Sequence, residues 1–138
     1  MDGKHGFRTG RHVVFNLQAH LVFITKYRRG VITQRVCAEL EQSFRKVCED
    51  FESELLEFDG GDDHVHLLVA YPPKVALSRL VNSLKGVSAR RIRTRDFPEV
   101  GGKLWGTAFW SPSYCAVSCG GAPLDIIKRY IQDQRRTP

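Results

Sequence analysis

Two histidines separated by a single residue are the first feature of this sequence that suggests chemistry. His64 and His66 lie in the run Asp63-His64-Val65-His66-Leu67-Leu68-Val69. Alternate side chains of a β-strand point to the same face, so a strand here would present both imidazoles together. Paired imidazoles on a rigid strand can supply two ligands of a metal site. One alternative stays open: one histidine satisfies a hydrogen bond in the core and the other is solvated.

A tyrosine and a glutamine near the end of the sequence form a second candidate group. Tyr130 and Gln134 are four residues apart, and positions i and i+4 of a helix are neighbours on its surface. A tyrosine hydroxyl can act as a covalent nucleophile, and a glutamine amide oxygen can bind a hard cation. The spacing equally permits an ordinary amphipathic helix in which Tyr130 packs its ring and exposes its hydroxyl.

The hydrophobic pattern predicts the elements that must position these residues. Alternation indicates strands at 13–25, 53–58, 63–71 and 109–119, the last irregular near Pro112, and helical spacing indicates helices at 33–51, 77–87 and 122–134. Glycine-rich turns are expected around Trp105 to Thr107. The order βαββαβ plus a terminal helix predicts an α+β, ferredoxin-like fold, with one antiparallel sheet and its helices on one face. The 138 residues suit a single domain at 1–138, in which residues 1–11 form a flexible tail.

The charges of the chain are unevenly distributed. The net charge is +6, yet the segment Glu39–Asp63 contains ten acidic and two basic residues, a local net charge of −8. The rest of the chain must therefore carry +14. This asymmetry favours a polyanionic partner over simple solubility, because Lys and Arg contacts to phosphates gain from counterion release. The best candidates for contacts with a nucleic-acid backbone are Lys26, Arg28, Arg29, Arg79, Lys85, Arg90 and Arg91.

Composition also limits the class of protein. No apolar run approaches the roughly 20 residues needed to cross a bilayer, and the first residues do not resemble a signal peptide. The four cysteines form no CxxC pair, so neither disulfides nor zinc are required and the cytoplasm is the expected compartment. We expect no membrane partner.

Several stretches of the chain resemble the single-tyrosine transposases of the HUH superfamily, the small TnpA-type enzymes of bacterial insertion sequences. The similarity covers nearly the whole chain after Arg11. The matching stretches are, in order, His20-Leu21-Val22-Phe23 with Thr25-Lys26-Tyr27-Arg28-Arg29, Asp63-His64-Val65-His66-Leu67-Leu68, Leu84-Lys85-Gly86-Val87-Ser88, Trp110-Ser111-Pro112-Ser113-Tyr114, and Gly120-Gly121-Ala122-Pro123 followed by Lys128-Arg129-Tyr130-Ile131 and Gln134.

The resemblance implies a role for each candidate residue. Tyr130 would be the nucleophile, and His64, His66 and Gln134 would bind a divalent metal, Mg²⁺ or Mn²⁺. The implied reaction cleaves and rejoins single-stranded DNA at hairpin-bearing insertion-sequence ends through a 5′-phosphotyrosine intermediate. His20 could approach the metal, although a supporting or structural role is favoured. The family also implies a homodimer in which the tyrosine helix often completes the partner's site, with Gly120-Gly121 as the hinge.

Other functions are compatible with parts of this pattern. Close alternatives are a domesticated relative that processes chromosomal palindromic repeats, or a relaxase or replication initiator with the same chemistry. From other classes, the chain could be a non-catalytic nucleic-acid-binding ferredoxin-like domain, or a small metal-dependent phosphoester hydrolase. A covalent protein–DNA adduct distinguishes the transposase from the last two.

Overall fold

Most of the β-structure belongs to one four-stranded sheet. The computed structural model describes residues 8–9, 14–104, 108–118 and 129–133. Its strands, in chain order, are β1 (Arg8–Thr9), β2 (Val14–Phe15), β3 (Gln18–Thr25), β4 (Glu54–Gly60), β5 (His64–Ala70) and β6 (Trp110–Ser118). Among the described strands, β1 and β2 pair only with each other, whereas the main sheet has the order β4-β5-β3-β6 and is antiparallel throughout. This order confirms the predicted ferredoxin-like arrangement.

The helices follow the first and third strands of the main sheet. They are α1 (Gln34–Asp50), α2 (Leu77–Arg95) and α3 (Pro98–Leu104), with a 3₁₀ turn at Lys26–Arg28 and a helical segment at 129–133. Thr33 caps α1, because its hydroxyl accepts a hydrogen bond from the Val36 amide at 3.4 Å. None of the described helices is long and apolar enough to span a membrane.

The hydrophobic core lies between α1, α2 and one face of the sheet. The alternate residues Ala19, Leu21 and Phe23 of β3 point into it. The Phe23 ring packs edge-on against Phe44 of α1, with ring centres 5.9 Å apart. β3 is central in the sheet, and its remaining apolar residues are buried on the opposite face in a separate cluster. The sheet is therefore covered on both faces near β3, by different parts of the chain.

The structure bears on three local predictions from the sequence. The strand predicted at 13–25 is interrupted at Asn16 and Leu17, because β2 pairs with β1 instead of continuing into the main sheet. The predicted irregularity near Pro112 is confirmed by a register shift between β3 and β6. Trp105 to Thr107, where turns were expected, lie outside the described residues, but Gly101 and Gly102 before them belong to α3.

Tertiary contacts explain why a helix forms over two glycines. Glu99 at the start of α3 accepts hydrogen bonds from the Arg35 guanidinium at 2.6 and 2.8 Å and from the Thr33 hydroxyl at 2.6 Å. A carboxylate in the first turn also interacts favourably with the helix dipole. Anchoring of this kind overrides the low helix propensity of glycine, about 1 kcal/mol per residue relative to alanine. The sequence pattern contains no signal for these long-range contacts.

Candidate active site

The strand register places the two predicted histidines on the face of the sheet opposite α1 and α2. His64 lies directly opposite Ile24 in the β3–β5 pair, and His66 lies opposite Val22. Directly opposed residues of an antiparallel pair project to the same side. Val22 and Ile24 belong to the cluster outside the main core. Both imidazoles therefore project on this side, which we call the site face.

The tyrosine segment covers the same face. Tyr130 and Ile131 pack against Val22 and Ile24, the residues that stand across from the two histidines. The structure thus brings Tyr130 and the histidine pair together on one side of the sheet, as the sequence pattern required. Gln134 and the proposed hinge Gly120-Gly121 lie outside the described residues.

A carboxylate orients the first histidine. The Nδ1 atom of His64 lies 2.9 Å from Oδ1 of Asp63, so an Nδ1–H donor leaves Nε2 of the ring with its lone pair. This is the arrangement by which proteins fix metal-binding histidines. The turn before β5 makes room for the ring, because a Cβ atom on Gly61 would approach Cε1 of His64 to 2.8 Å. The turn between β4 and β5 is therefore also part of the site.

The second histidine is paired with His20. Nε2 of His66 lies 2.9 Å from Nδ1 of His20, and the two rings are stacked with centres 5.0 Å apart and planes inclined by 18°. Burial lowers the pKa of His66, and the neighbouring His20 lowers it further. His66 is thus held in the neutral form, which a metal ligand requires. His20 supports this ring, in line with the supporting role favoured from sequence.

These side chains fit a divalent cation only if a further ligand joins them. Two neutral imidazoles leave a cation its full charge for an anionic substrate. Among the residues that the structure describes, no three His, Cys, Asp or Glu side chains converge as a metal site. A third protein ligand would therefore be a residue other than His, Cys, Asp or Glu, or a residue outside the described part of the chain. The predicted ligand Gln134 meets both conditions.

The hydroxyl of Tyr130 forms a hydrogen bond with the hydroxyl of Ser113, at an oxygen–oxygen distance of 3.0 Å. Burial raises the pKa of Tyr130, whereas the hydrogen bond from Ser113 lowers it. The phenol is therefore protonated at neutral pH and must lose its proton to act as a nucleophile. Sequence reasoning missed Ser113, although it lies in one of the stretches that carry the family resemblance.

Cys115 is the other nucleophilic side chain in this cluster. It packs with Val22, Tyr130 and Ile131, and burial raises the pKa of its thiol. A thiolate is the reactive form of cysteine, so a raised pKa makes Cys115 a poor nucleophile. Cys115 therefore acts as a packing residue in this cluster.

A strained turn connects β3 to the site. Tyr27 and Arg28 both adopt left-handed backbone conformations, with φ of 57° and 51°. For residues other than glycine this costs about 1–2 kcal/mol each. The turn directs Arg28 inward, where its guanidinium forms an ion pair with Asp63 at 2.6 Å. Tyr27 projects outward and is 51% exposed. Sequence reasoning placed Arg28 among the DNA contacts and missed its partner Asp63.

The predicted DNA contacts fall into two groups. The side chains of Arg29, Arg79 and Arg90 are exposed, and Lys26 is partly exposed with its amine 5.1 Å from the centre of the Tyr27 ring. The remaining three candidates have partners within the protein. The amine of Lys85 donates to the carbonyls of Ser111 and Ser113, at 2.7 and 3.3 Å. The guanidinium of Arg91 donates to Glu39 and Gln42, and Arg28 forms the ion pair with Asp63 described above. Their contact with DNA stays a prediction.

The fold and site together describe a protein of the tyrosine transposase class, and comparison with known proteins gives the family. A sequence profile for the family described as "Transposase IS200 like" matches residues 13–134. The chain belongs to this family and is a DNA transposase of the HUH superfamily, which confirms the resemblance seen in the sequence. The family consists of enzymes that cut and join DNA.

Individual relatives agree with this assignment. The ISDra2 transposase TnpA of Deinococcus radiodurans is 35% identical over 127 residues, covering 92% of this chain and 90% of the relative. The transposase for insertion sequence element IS200 of Salmonella typhimurium is 31% identical over 123 residues, covering 89% of this chain and 80% of the relative. These matches span most of both chains.

Solved structures agree on the fold. The crystal structure of a proposed transposase from Deinococcus radiodurans R1 superposes with a TM-score of 0.81 at 33% identity, covering 92% of this chain and 97% of that chain. A REP-associated tyrosine transposase bound to a REP hairpin gives a TM-score of 0.52 at 12% identity, covering 90% of this chain and 68% of that chain. The second likeness concerns the fold alone.

Proposed function

We propose that this transposase cleaves and rejoins single-stranded DNA with Tyr130 as its nucleophile and a divalent cation, Mg²⁺ or Mn²⁺, as its cofactor. The observation that carries the proposal is the shared site face: the residues packed beneath Tyr130 are those directly opposite His64 and His66. A nucleophile and two imidazoles on one surface are the parts that a metal-assisted phosphoryl transfer needs.

Each side chain has a defined part in this reaction. Nε2 of His64, a ring nitrogen of His66 and the amide oxygen of Gln134 would hold the cation, which when bound offsets negative charge at the scissile phosphate. The Tyr130 hydroxyl loses its proton and its oxygen attacks phosphorus. The bond to the 3′ oxygen breaks, giving a 5′-phosphotyrosine and a free 3′-OH. A 3′-OH can reverse the exchange, so ends are joined without ATP.

The proposed substrate is single-stranded DNA that carries hairpins at the ends of the element. The uneven charge distribution supports a polyanionic partner, and the exposed Arg29, Arg79 and Arg90 can contact its backbone. A structural neighbour with the same fold was solved bound to a hairpin. We also propose a homodimer, in which the tyrosine segment of one subunit can serve its own site or that of the partner.

An oligonucleotide assay tests the nucleophile. A hairpin DNA with flanking single strands is incubated with the protein and Mn²⁺, and the products are resolved on a denaturing gel. We expect a protein–DNA adduct that Tyr130→Phe abolishes while hairpin binding is retained. Tyr114→Phe is the matched control, since Tyr114 is an exposed tyrosine on β6. An adduct that persists in Tyr130→Phe contradicts the proposal.

The same assay separates the alternative functions. A non-catalytic DNA-binding domain would retain the hairpin without cleaving it. A phosphoester hydrolase would release cleaved DNA with no covalent species at any time. A domesticated relative would form the adduct on chromosomal palindromic repeats rather than on the ends of a mobile element, so the DNA substrate distinguishes it.

A further inference from the structure

The side chain of Arg28 lies inside the protein although the residue occupies a surface turn. Only 10% of it is exposed, and the Asp63 side chain beside it is 14% exposed. Both Tyr27 and Arg28 have positive φ angles, a conformation that disfavours L-residues and persists where surrounding contacts impose it. The contacts of the Arg28 guanidinium show what holds the turn in this conformation.

The guanidinium has two acceptors that belong to different parts of the site. Nη2 lies 2.6 Å from Oδ2 of Asp63, and the other oxygen of that carboxylate contacts Nδ1 of His64 at 2.9 Å. Nη1 donates to the backbone carbonyl of Ile131 at 2.5 Å. Ile131 follows Tyr130 directly in the chain. One planar group thus spans the strand with the histidines and the segment with the tyrosine.

We infer that Arg28 is a positioning residue that sets the placement of Tyr130 relative to His64. The inference rests on the proposed function of these two residues. Through Asp63, the guanidinium fixes the His64 ring, and through the Ile131 carbonyl it fixes the helical segment at 129–133. The rigid fork of arginine can satisfy both acceptors at once, whereas the single ammonium of lysine cannot reproduce that geometry.

Amide hydrogen exchange tests the contact with the tyrosine segment without DNA or metal. In Arg28→Ala we expect exchange at residues 130–133 to accelerate about tenfold or more, because a tertiary restraint on this segment is lost. Amides in the centres of β3 and β5 should exchange as in the wild type, which shows that the variant is folded. Arg29→Ala is the matched control: it removes the same charge from an exposed neighbouring side chain.

Mn²⁺ titration in a calorimeter tests the contact with Asp63. Residues that orient metal-binding histidines typically contribute about 10–100-fold to metal affinity, so Arg28→Ala should weaken Mn²⁺ binding within that range. Arg28→Lys retains a positive charge beside Asp63. We expect it to recover most of the Mn²⁺ affinity while exchange at residues 130–133 stays fast, since the second hydrogen bond is still missing.

The outcomes separate this inference from the proposed function. Unchanged exchange and unchanged Mn²⁺ affinity in Arg28→Ala would overturn the inference, as would equal effects in Arg29→Ala. Full recovery of both properties in Arg28→Lys would also overturn it, because charge alone would then suffice. An adduct that survives in Tyr130→Phe would instead refute the proposed nucleophile, and the exchange measurement would still report whether Arg28 holds the segment.

Discussion

The two faces of the main sheet are held by different forces. The face under α1 and α2 is lined by fully buried apolar side chains such as Leu21, Phe23 and Phe44. The site face has a small apolar cluster around Val22 and Ile24, with polar contacts that link Arg28, Asp63 and His64 and that pair His20 with His66. Stability therefore resides mainly on the first face, and the proposed chemistry takes place on the second.

The magnitudes support this division. Complete burial of a large apolar side chain stabilises a protein by about 1.5–3 kcal/mol, whereas a typical hydrogen bond contributes about 0.5–1.5 kcal/mol net. The helix-covered face holds most of the buried apolar residues. Substitutions there should unfold the protein, and substitutions on the site face should disable it while it stays folded.

The largest effect on activity is expected for His64→Ala. It removes a proposed cation ligand, and a cation contributes several kcal/mol of charge stabilisation, so adduct formation should fall about a thousandfold. The melting temperature should change little, because the ring is partly exposed. Gel quantification of the adduct at saturating Mn²⁺ is the measurement. A rate within tenfold of the wild type would show that this imidazole is not a ligand.

The largest effect on stability is expected for Phe44→Ala. The ring is fully buried and contacts the rings of Phe23, Phe58 and Trp110. Truncation of such a side chain typically costs about 3–5 kcal/mol, because it leaves a cavity. Urea unfolding followed by tryptophan fluorescence measures the change. A loss below about 1 kcal/mol would contradict the assignment of stability to this face.

A smaller effect is expected for Ser113→Ala. The Ser113 hydroxyl lowers the pKa of Tyr130 against the effect of burial, so its removal should raise that pKa and shift the pH–rate profile of adduct formation to higher pH. At neutral pH the rate should fall about three- to tenfold, the value of one hydrogen bond. Ser111→Ala is the control, because Ser111 contacts Ser113 rather than Tyr130. An equal loss at every pH would count against the pKa effect.

The smallest effect is expected for Glu99→Gln, far from the site face. Hydrogen bonds from Arg35 and Thr33 lower the pKa of Glu99 from its ordinary value of 4.5 to about 2. The carboxylate therefore stabilises the fold above about pH 4.5, and this contribution is lost as the pH falls through about 2. The melting temperature of the wild type should be slightly higher than that of the variant at about pH 6, and the two melting temperatures should converge as the pH falls toward about 2. A difference that is constant over this range would contradict the pKa shift.

Much of the fold was predictable because it follows from local periodicity. The alternation in β3 and β5 and the helical spacing in α1 and α2 are properties of consecutive residues, and each survives in the structure. The errors come from tertiary contacts. α3 forms over two glycines because Glu99 is tied to Arg35, 64 residues away in sequence. The break before β3 arises because β2 pairs with β1.

The candidate site was predictable to the same extent. The spacing of His64 and His66 indicated a shared face, and the register confirms that face. The link from Arg28 to Ile131 spans 103 residues, and no pattern of neighbouring residues encodes it. Lys85 shows the same limitation, because its charge did not indicate that its amine donates to carbonyls of β6, and its contact with DNA stays a prediction.

The most direct test of the account is to identify the residue that becomes attached to DNA. The wild-type protein is reacted with a hairpin oligonucleotide and Mn²⁺, digested with protease and nuclease, and analysed by tandem mass spectrometry. We predict a nucleotide phosphate on the oxygen of Tyr130. Attachment at any other residue, or DNA cleavage with no modified peptide, would contradict the assignment of Tyr130 as the nucleophile.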